Sequence, residues 1–325
     1  MACLLIVKLS SLGDVIQTLP VLHDISKHRP DVMIDWAVEE GYAQLLQLHK
    51  NLARVVPVGL RRWRRQGLLT KQSRLELKAL HAVLASAQYD FAIDLQGLLK
   101  SALVARMSGA PIFGEAISVA REPIASLFYS HRFTPPKCPA PVRYRILAAK
   151  ALGYFDAEGF NPYGGDPGMF GLESSQLKIR AVTLIHISAR DEKLWPESHW
   201  IALGRRLASD GHKVQLPWGN KTEHQRAMVL GAAIPNAEVL PQMSLEALTW
   251  HLAKSYGAFG LDTGLAYLAI AAGIPTVRIY CGPDRGKTAD FDWINSRSVG
   301  SFESMPTVAD VWQSWEHLTR NLTRR

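Results

Sequence analysis

Leu4–Pro20 reads LLIVKLSSLGDVIQTLP, and the fold is decided there. An unbroken apolar run over Leu4–Lys8 is a strand buried on both faces. The polar turn Ser10-Ser11-Leu12-Gly13-Asp14 follows, and from Val15 to Lys27 apolar residues return at three- and four-residue steps, the period of an amphipathic helix. Strand, tight turn and helix in this order make half of a βαβ unit, and such units build parallel sheets with helices on both faces. In open α/β sheets ligands gather beyond the carboxyl ends of the strands. Asp14 therefore has two readings: a helix N-cap, worth about 0.5–2 kcal/mol, or a general base at the edge of a cleft. The turn contains no GxGxxG, which argues against a dinucleotide fingerprint.

The same alternation continues outward. Further strands are expected at Val32–Val38, Arg54–Pro57, Phe91–Leu95 and near Ile112, with a helix over Leu75–Ala87. From Asp156 to Gly171 the text becomes DAEGFNPYGGDPGMFG, rich in Gly, Pro and Asp and without periodicity, the composition of a linker. A second alternation follows. Its strands are Ala181–Ile187, Lys213–Leu216, Glu238–Leu240, Ala258–Leu261 and Thr276–Tyr280, and its helices Ser198–Ser209, Thr222–Ala233, Leu245–Lys254 and Leu265–Ala272. The expected organisation is a Rossmann-like domain over 1–160, a linker over 161–176, a second Rossmann-like domain over 177–305 and a closing segment over 306–325. Within that segment the helix Val308–Leu318, with Trp312 and Trp315, is expected to pack back on the first domain. Two doubly wound domains with a cleft between them are the economical picture.

Composition agrees. The 325 residues are 47% hydrophobic and 20% charged, as globular chains are, and the length suits two domains. Cys3, Cys138 and Cys281 are far apart in sequence, which excludes a disulfide framework and a zinc knuckle and favours a reducing compartment. The apolar stretch at the N-terminus is short for a secretory signal, and the longest apolar run, Gly264–Pro275, falls below the ~20 residues of a membrane span. A soluble, cytosolic protein is expected. With 37 Lys+Arg against 29 Asp+Glu the formal net charge is +8, which points to anionic partners.

Three other stretches carry chemistry. Ile185–Trp200, IHISARDEKLWPESHW, places Ser188, Arg190, Asp191 and Lys193 between a strand and a helix opened by Pro196 and Glu197. Hydroxyls and cations at a helix N-terminus suit a diphosphate, although a solvated charged loop would look the same. Gly260-Leu261-Asp262-Thr263-Gly264 is again strand, turn and helix, suited to close backbone approach or simply to capping. Leu60–Leu69, LRRWRRQGLL, gathers Arg61, Arg62, Arg64 and Arg65 around Trp63. It is a solvated helix face, a bidentate clamp for carboxylates or phosphates, or a contact to an anionic membrane with Trp63 at the interface. Lys100 and Arg121 add cations at other strand ends. Apart from Trp63, aromatic residues do not interleave with these basic positions as stacking platforms would, so an anionic acceptor is favoured over nucleic acid. GPDRGKT, 282–288, misses the Walker spacing, and the scattered histidines suggest no metal site.

Together these segments, with DWAVEEGYAQ, IDLQGLLKSA, AREPIASLFY, LPWG and VLPQMSLEAL in order, resemble the ADP-heptose:lipopolysaccharide heptosyltransferases. The resemblance implies a GT-B architecture, two Rossmann-like domains facing across a cleft, acceptor on the first and nucleotide sugar on the second. It implies an inverting transfer of heptose from ADP-L-glycero-D-manno-heptose to the Kdo residue of Kdo-lipid A, on the cytoplasmic face of the inner membrane and against its anionic surface. No cofactor and no metal are implied. Carried over, Asp14 is the base and Lys193 faces the diphosphate with Ser188 and Ala189. Glu223 and Met243 lie around the adenosine, and Asp262, Thr263, Gly264 and Tyr267 approach the diphosphate and heptose. Lys8, Ser11, Gly13, Arg61, Arg64, Lys100 and Arg121 hold the anionic acceptor. An inverting displacement with a good leaving group needs only one carboxylate, so one Asp and a Lys-lined anion site suffice.

Three positions depart from the family pattern: Tyr267 where a histidine is usual, Ala189 where a second threonine is usual, and Gly282-Pro283-Asp284 in place of a GPT-type turn. The first two touch the donor side, so transfer of another hexose is the alternative within the enzyme class. A non-catalytic module binding anionic glycans through its basic surface is the alternative outside it.

Overall fold

A computed structural model describes residues 1–164, 170, 172, 179–281, 291–301 and 304–323. The turn at 282–288 lies outside the described residues, as does most of the 161–176 linker. The chain divides into two compact units, Met1–Tyr163 and Gly164–Arg325.

The first unit runs β1 (Ala2–Val7), α1 (Leu12–Ile16), α2 (Leu19–His28), β2 (Val32–Glu39), α3 (Glu40–Leu46), β3 (Arg54–Val58), α4 (Leu60–Gln66), α5 (Lys71–Ser86), β4 (Phe91–Asp94), α6 (Leu99–Arg106), β5 (Ile112–Glu115), β6 (His131–Phe133) and α7 (Ala140–Leu152). Its six strands pair in parallel in the order β3-β2-β1-β4-β5-β6. The central β1 is buried from Leu4 to Val7, because helices cover both faces of a parallel sheet. Leu5, Val7, Ala37, Val56 and Ala92 meet Trp63, Leu80 and Leu84 of α4 and α5 in one core.

The second unit runs β7 (Ile179–Ile185), α8 (Glu197–Ser209), β8 (Lys213–Leu216), α9 (Lys221–Ala233), β9 (Ala237–Val239), α10 (Leu245–Lys254), β10 (Ser255–Leu261), α11 (Gly264–Ala271), β11 (Thr276–Ile279), β12 (Ser296–Val299) and α12 (Val308–Thr323). The strands are again parallel, in the order β12-β11-β10-β7-β8-β9. The α/β class and the paired Rossmann-like organisation are as expected.

Four expectations change. The segment Val15–Lys27 is two helices, separated at Gln17 and Thr18, because Pro20 in the first turn of α2 has no N–H to continue the ladder. Short edge strands β6 and β12 were not expected; both are polar and brief, HRF and SRSV. Trp312 and Trp315 lie in the core of the second unit with Val182, Phe259 and Val277, where the sequence reading sent them to the first. Gly257 on β10 leaves the space that the Trp315 ring fills. Trp63 is no membrane anchor: it is 3% exposed, and its Nε1 donates to Glu76 at 2.5 Å. No helix among the described residues is long and apolar enough to cross a membrane.

Candidate active site

Beyond the carboxyl end of β1 the chain turns into α1, and Ser11 is its N-cap. Asp14 is therefore the third helical residue rather than the cap itself. Its Oδ2 accepts from the Ser11 backbone N–H at 3.1 Å and the Ser11 hydroxyl at 3.0 Å, the reciprocal half of a capping box. Its Oδ1 accepts from the Tyr144 hydroxyl at 3.3 Å. Gly13 is buried within the same turn. The carboxylate is thus aimed by its own turn and by α7, leaving lone pairs on both oxygens for a further donor.

Lys8 is fully sequestered in the same place. Its ammonium donates to the Leu95 carbonyl at 2.8 Å and lies 3.7 Å from the centre of the Tyr144 ring. Burial pulls its pKa down to about 8, against the opposing pull of Asp14 and Asp94. One aromatic ring of α7 therefore faces the cation and binds the carboxylate. The sequence reading missed Tyr144. APVRYRILAAKAL with a proline in its first turn signals a helix, but nothing local aims its tyrosine at a turn 130 residues away.

The adjacent strand ends bring the other residues expected on the acceptor side. After β4, Gln96 Oε1 accepts from Leu9 N–H at 2.7 Å and Ser10 N–H at 3.3 Å, tying the β1 turn to the β4 turn. Lys100 Nζ donates to Ser10 Oγ at 3.3 Å. Its pKa is lowered, mainly by burial, with the charges of Arg64 and Arg61 adding to the effect and Glu39 opposing it. Arg61, at the β3 end, donates to the Tyr42 hydroxyl at 2.8 Å through its guanidinium and to Glu39 at 3.1 Å through its backbone N–H. Arg61 and Arg64 are exposed, whereas Arg62 is engaged by Glu40 and Glu76. Arg121 is exposed beside Gly97, whose positive φ of 67° allows the close backbone approach there. Lys8, Ser11, Gly13, Asp14, Arg61, Arg64, Lys100 and Arg121 thus all occupy the carboxyl edge of the first sheet.

The second unit repeats the arrangement. The segment after β7 has Ser188 Oγ accepting from Arg190 N–H at 3.1 Å, Ala189 exposed, and a single 3₁₀ turn at Asp191–Lys193. Trp195, fully buried and donating to the Pro306 carbonyl at 2.9 Å, anchors its far end. Lys193 Nζ donates to Asp262 Oδ2 at 3.1 Å, with the two side chains 18% and 11% exposed. This pair joins the β7 and β10 turns. Thr263 is the N-cap of α11, and its buried hydroxyl has no hydrogen-bond partner among the described residues. The Tyr267 hydroxyl donates to Asp262 Oδ1 at 3.1 Å, so the residue that departs from the family pattern is built into the turn.

After β8, Glu223 Oε2 accepts from the Gly219 N–H at 2.7 Å. Gln242, next to Met243 after β9, donates to the Gly219 carbonyl at 3.1 Å. Glu223 and Met243 therefore belong to neighbouring strand ends. Ser188, Ala189, Lys193, Glu223, Met243, Asp262, Thr263, Gly264 and Tyr267 line the carboxyl edge of the second sheet. That edge offers a cation, small-residue turns and helix N-termini to an anion.

A model of glycosyltransferase family 9 (heptosyltransferase) matches residues 77–308. Lipopolysaccharide heptosyltransferase 1 of Escherichia coli is 40% identical over 284 residues, 87% of this chain and 88% of that protein. The protein of the same name from Pseudomonas aeruginosa is 38% identical over 294 residues, 88% and 81% of the respective chains. Among solved structures, E. coli heptosyltransferase WaaC with ADP aligns at a TM-score of 0.88 and 36% identity, covering 97% of this chain and 99% of that one. WaaC with ADP-2-deoxy-2-fluoro heptose aligns at 0.85. E. coli heptosyltransferase II, at 0.72 and 18% identity, shares the fold. The chain belongs to glycosyltransferase family 9, the heptosyltransferases, and is a glycosyltransferase of the GT-B class.

Proposed function

We propose that this protein transfers heptose from ADP-L-glycero-D-manno-heptose to the Kdo residue of Kdo-lipid A, with inversion, in lipopolysaccharide inner-core synthesis. The observation that carries this reading is the ammonium–carboxylate pair of Lys193 and Asp262 at the donor-side turn, in a chain 40% identical to a lipopolysaccharide heptosyltransferase 1. The acceptor hydroxyl oxygen attacks the anomeric carbon, and the bond from that carbon to the β-phosphate oxygen of ADP breaks with its electron pair leaving on ADP. Asp14 takes the hydroxyl proton. Lys193 meets the charge that develops on the diphosphate, the kind of fixed electrostatic stabilisation that contributes most in acyl and phosphoryl chemistry as well. Arg61, Arg64, Lys100 and Arg121 hold the anionic acceptor, with the buried Lys8 close to the Asp14 turn. Their basic edge suits a peripheral protein working against the anionic cytoplasmic face of the inner membrane.

The test is transfer by purified protein with Kdo-lipid A, ADP-heptose competing against UDP- and GDP-hexoses. Asp14→Ala should bind ADP normally and lose about 10²–10⁴-fold in turnover, the usual share of a general base. Lys193→Ala should lose about 10²–10³-fold, as when a charge-stabilising donor is removed. Preference for another sugar nucleotide overturns the heptosyl assignment, and near-normal turnover of Asp14→Ala removes that carboxylate from the chemistry.

A further inference from the structure

Beneath the donor-side turn lies a cation that the reaction scheme does not use. Arg278, on β11, is 1% exposed, among the largest wholly buried side chains of the protein. Its Nη1 donates to the hydroxyls of Tyr267 and Tyr280, each at 2.9 Å. Its Nη2 donates to the Phe291 carbonyl at 2.6 Å, Asp292 Oδ1 at 2.9 Å and Ser298 Oγ at 2.7 Å. Parallel pairing puts Arg278 opposite Gly260, two residues before Asp262. Burying a guanidinium is costly unless it is paired and hydrogen-bonded; Asp292, the two phenols, Ser298 and the Phe291 carbonyl engage both terminal nitrogens, while Nε has no partner among the described residues.

These contacts run in one direction. A guanidinium only donates and a carboxylate only accepts. The single Tyr267 proton therefore points to Asp262 Oδ1 at 3.1 Å, while the phenol oxygen accepts from Arg278. Asp262 Oδ2 accepts from Lys193 at 3.1 Å. Lys193 stands on a flexible four-carbon stem whose ammonium has no preferred direction of its own.

We propose that Arg278 is a positioning residue of the donor site, fixing Asp262 through the Tyr267 hydroxyl and, through Asp262, the Lys193 ammonium that receives the diphosphate. This rests on the donor-side reading above. Ordering the ammonium before the ligand arrives removes that cost from binding and from the reaction itself.

The experiment measures ADP affinity by calorimetry on the full chain, without sugar or acceptor, and donor and acceptor KM by steady-state kinetics. The variants are Tyr267→Phe, Arg278→Met, Arg278→Lys and the double variant Tyr267→Phe/Arg278→Met. Tyr267→Phe and Arg278→Met should each weaken ADP about tenfold or more, as loss of a hydrogen bond to a charged group does, and raise the donor KM while the acceptor KM stays unchanged. The double variant should be no weaker than the worse single one, since both cut one chain of contacts, and Arg278→Lys should recover part of the loss. Arg278 variants that melt earlier yet bind ADP as the wild type does overturn the proposal, as does full additivity. If Arg278→Met does not fold, Tyr267→Phe and Arg278→Lys with their double variant decide by the same criterion. A wild type that binds ADP and transfers no heptose counts against the heptosyl assignment while the ADP affinities still decide the role of Arg278. A wild type that binds no ADP overturns both.

Discussion

Lys8 carries its ammonium into a site that water does not reach, and the consequence is thermodynamic as well as functional. Its pKa falls to about 8 from an ordinary value of 10.5, burial being the cause. Below pH 8 the group is protonated whether the chain is folded or not. Between about pH 8 and 10.5 the folded protein has released a proton that the unfolded chain still holds, so unfolding becomes harder as pH rises. The gain amounts to about 3 kcal/mol across that window. Denaturant titrations of wild type and Lys8→Met should therefore diverge between pH 8 and 10.5, the wild type alone gaining this increment; parallel curves would contradict the burial argument. At this scale the sequence was informative where function sits next to a strand end. Asp262 follows the apolar run of β10 directly, and Asp14 and Lys193 stand in the segments that follow β1 and β7, placements that are local in sequence. Tyr144 was not legible because a helix supplies it from 130 residues away, and Arg278 because it lies inside a strand, where nothing local marks a buried cation. Trp63 misled for the opposite reason: its arginine neighbours suggest a wet face, but its ring packs in the core and Glu76, thirteen residues on, receives its indole N–H at the core's edge.

At the level of elements, the strands that positioned the sites were readable because parallel, doubly covered strands are uninterrupted apolar runs. Lys213–Leu216 has the bounds expected from the sequence. Edge strands β6 and β12 lack that signature, since solvent satisfies one side of each and three or four polar residues suffice. Strand β10 shows how an element can depend on another that the sequence gives no reason to pair with it. Its register shifts between Ser255 and Gly257, and a methyl group at Gly257 would overlap the Trp315 ring and stand 2.8 Å from the Pro275 carbonyl oxygen. Gly257→Ala should cost about 1–3 kcal/mol, the usual penalty of overpacking, seen as a lower melting temperature. Adding Trp315→Leu should return part of it, because the smaller side chain yields the space. A Gly257→Ala protein as stable as wild type would mean that α12 slides without cost.

For the molecule as a whole, each unit has its own sheet and its own core. The tryptophans are unevenly divided: Trp36 and Trp63 lie in the first unit, whereas Trp195, Trp200, Trp218, Trp250, Trp293, Trp312 and Trp315 lie in the second. Tryptophan fluorescence thus reports chiefly on the second unit, which carries the residues proposed to bind the donor. Saturating ADP, at a hundred times its Kd, should stabilise that unit by about 2.7 kcal/mol by mass action, delaying the fluorescence transition in a denaturant titration. An unmoved transition would place nucleotide binding elsewhere. The position of α12 has one more consequence. Trp312, Trp315 and Leu318 close a core begun by Val182 and Leu184 of β7, so a nascent chain leaving the ribosome can complete its first unit early, while the second must wait, its hydrophobic interior open to chaperones, until the last of these residues has been translated.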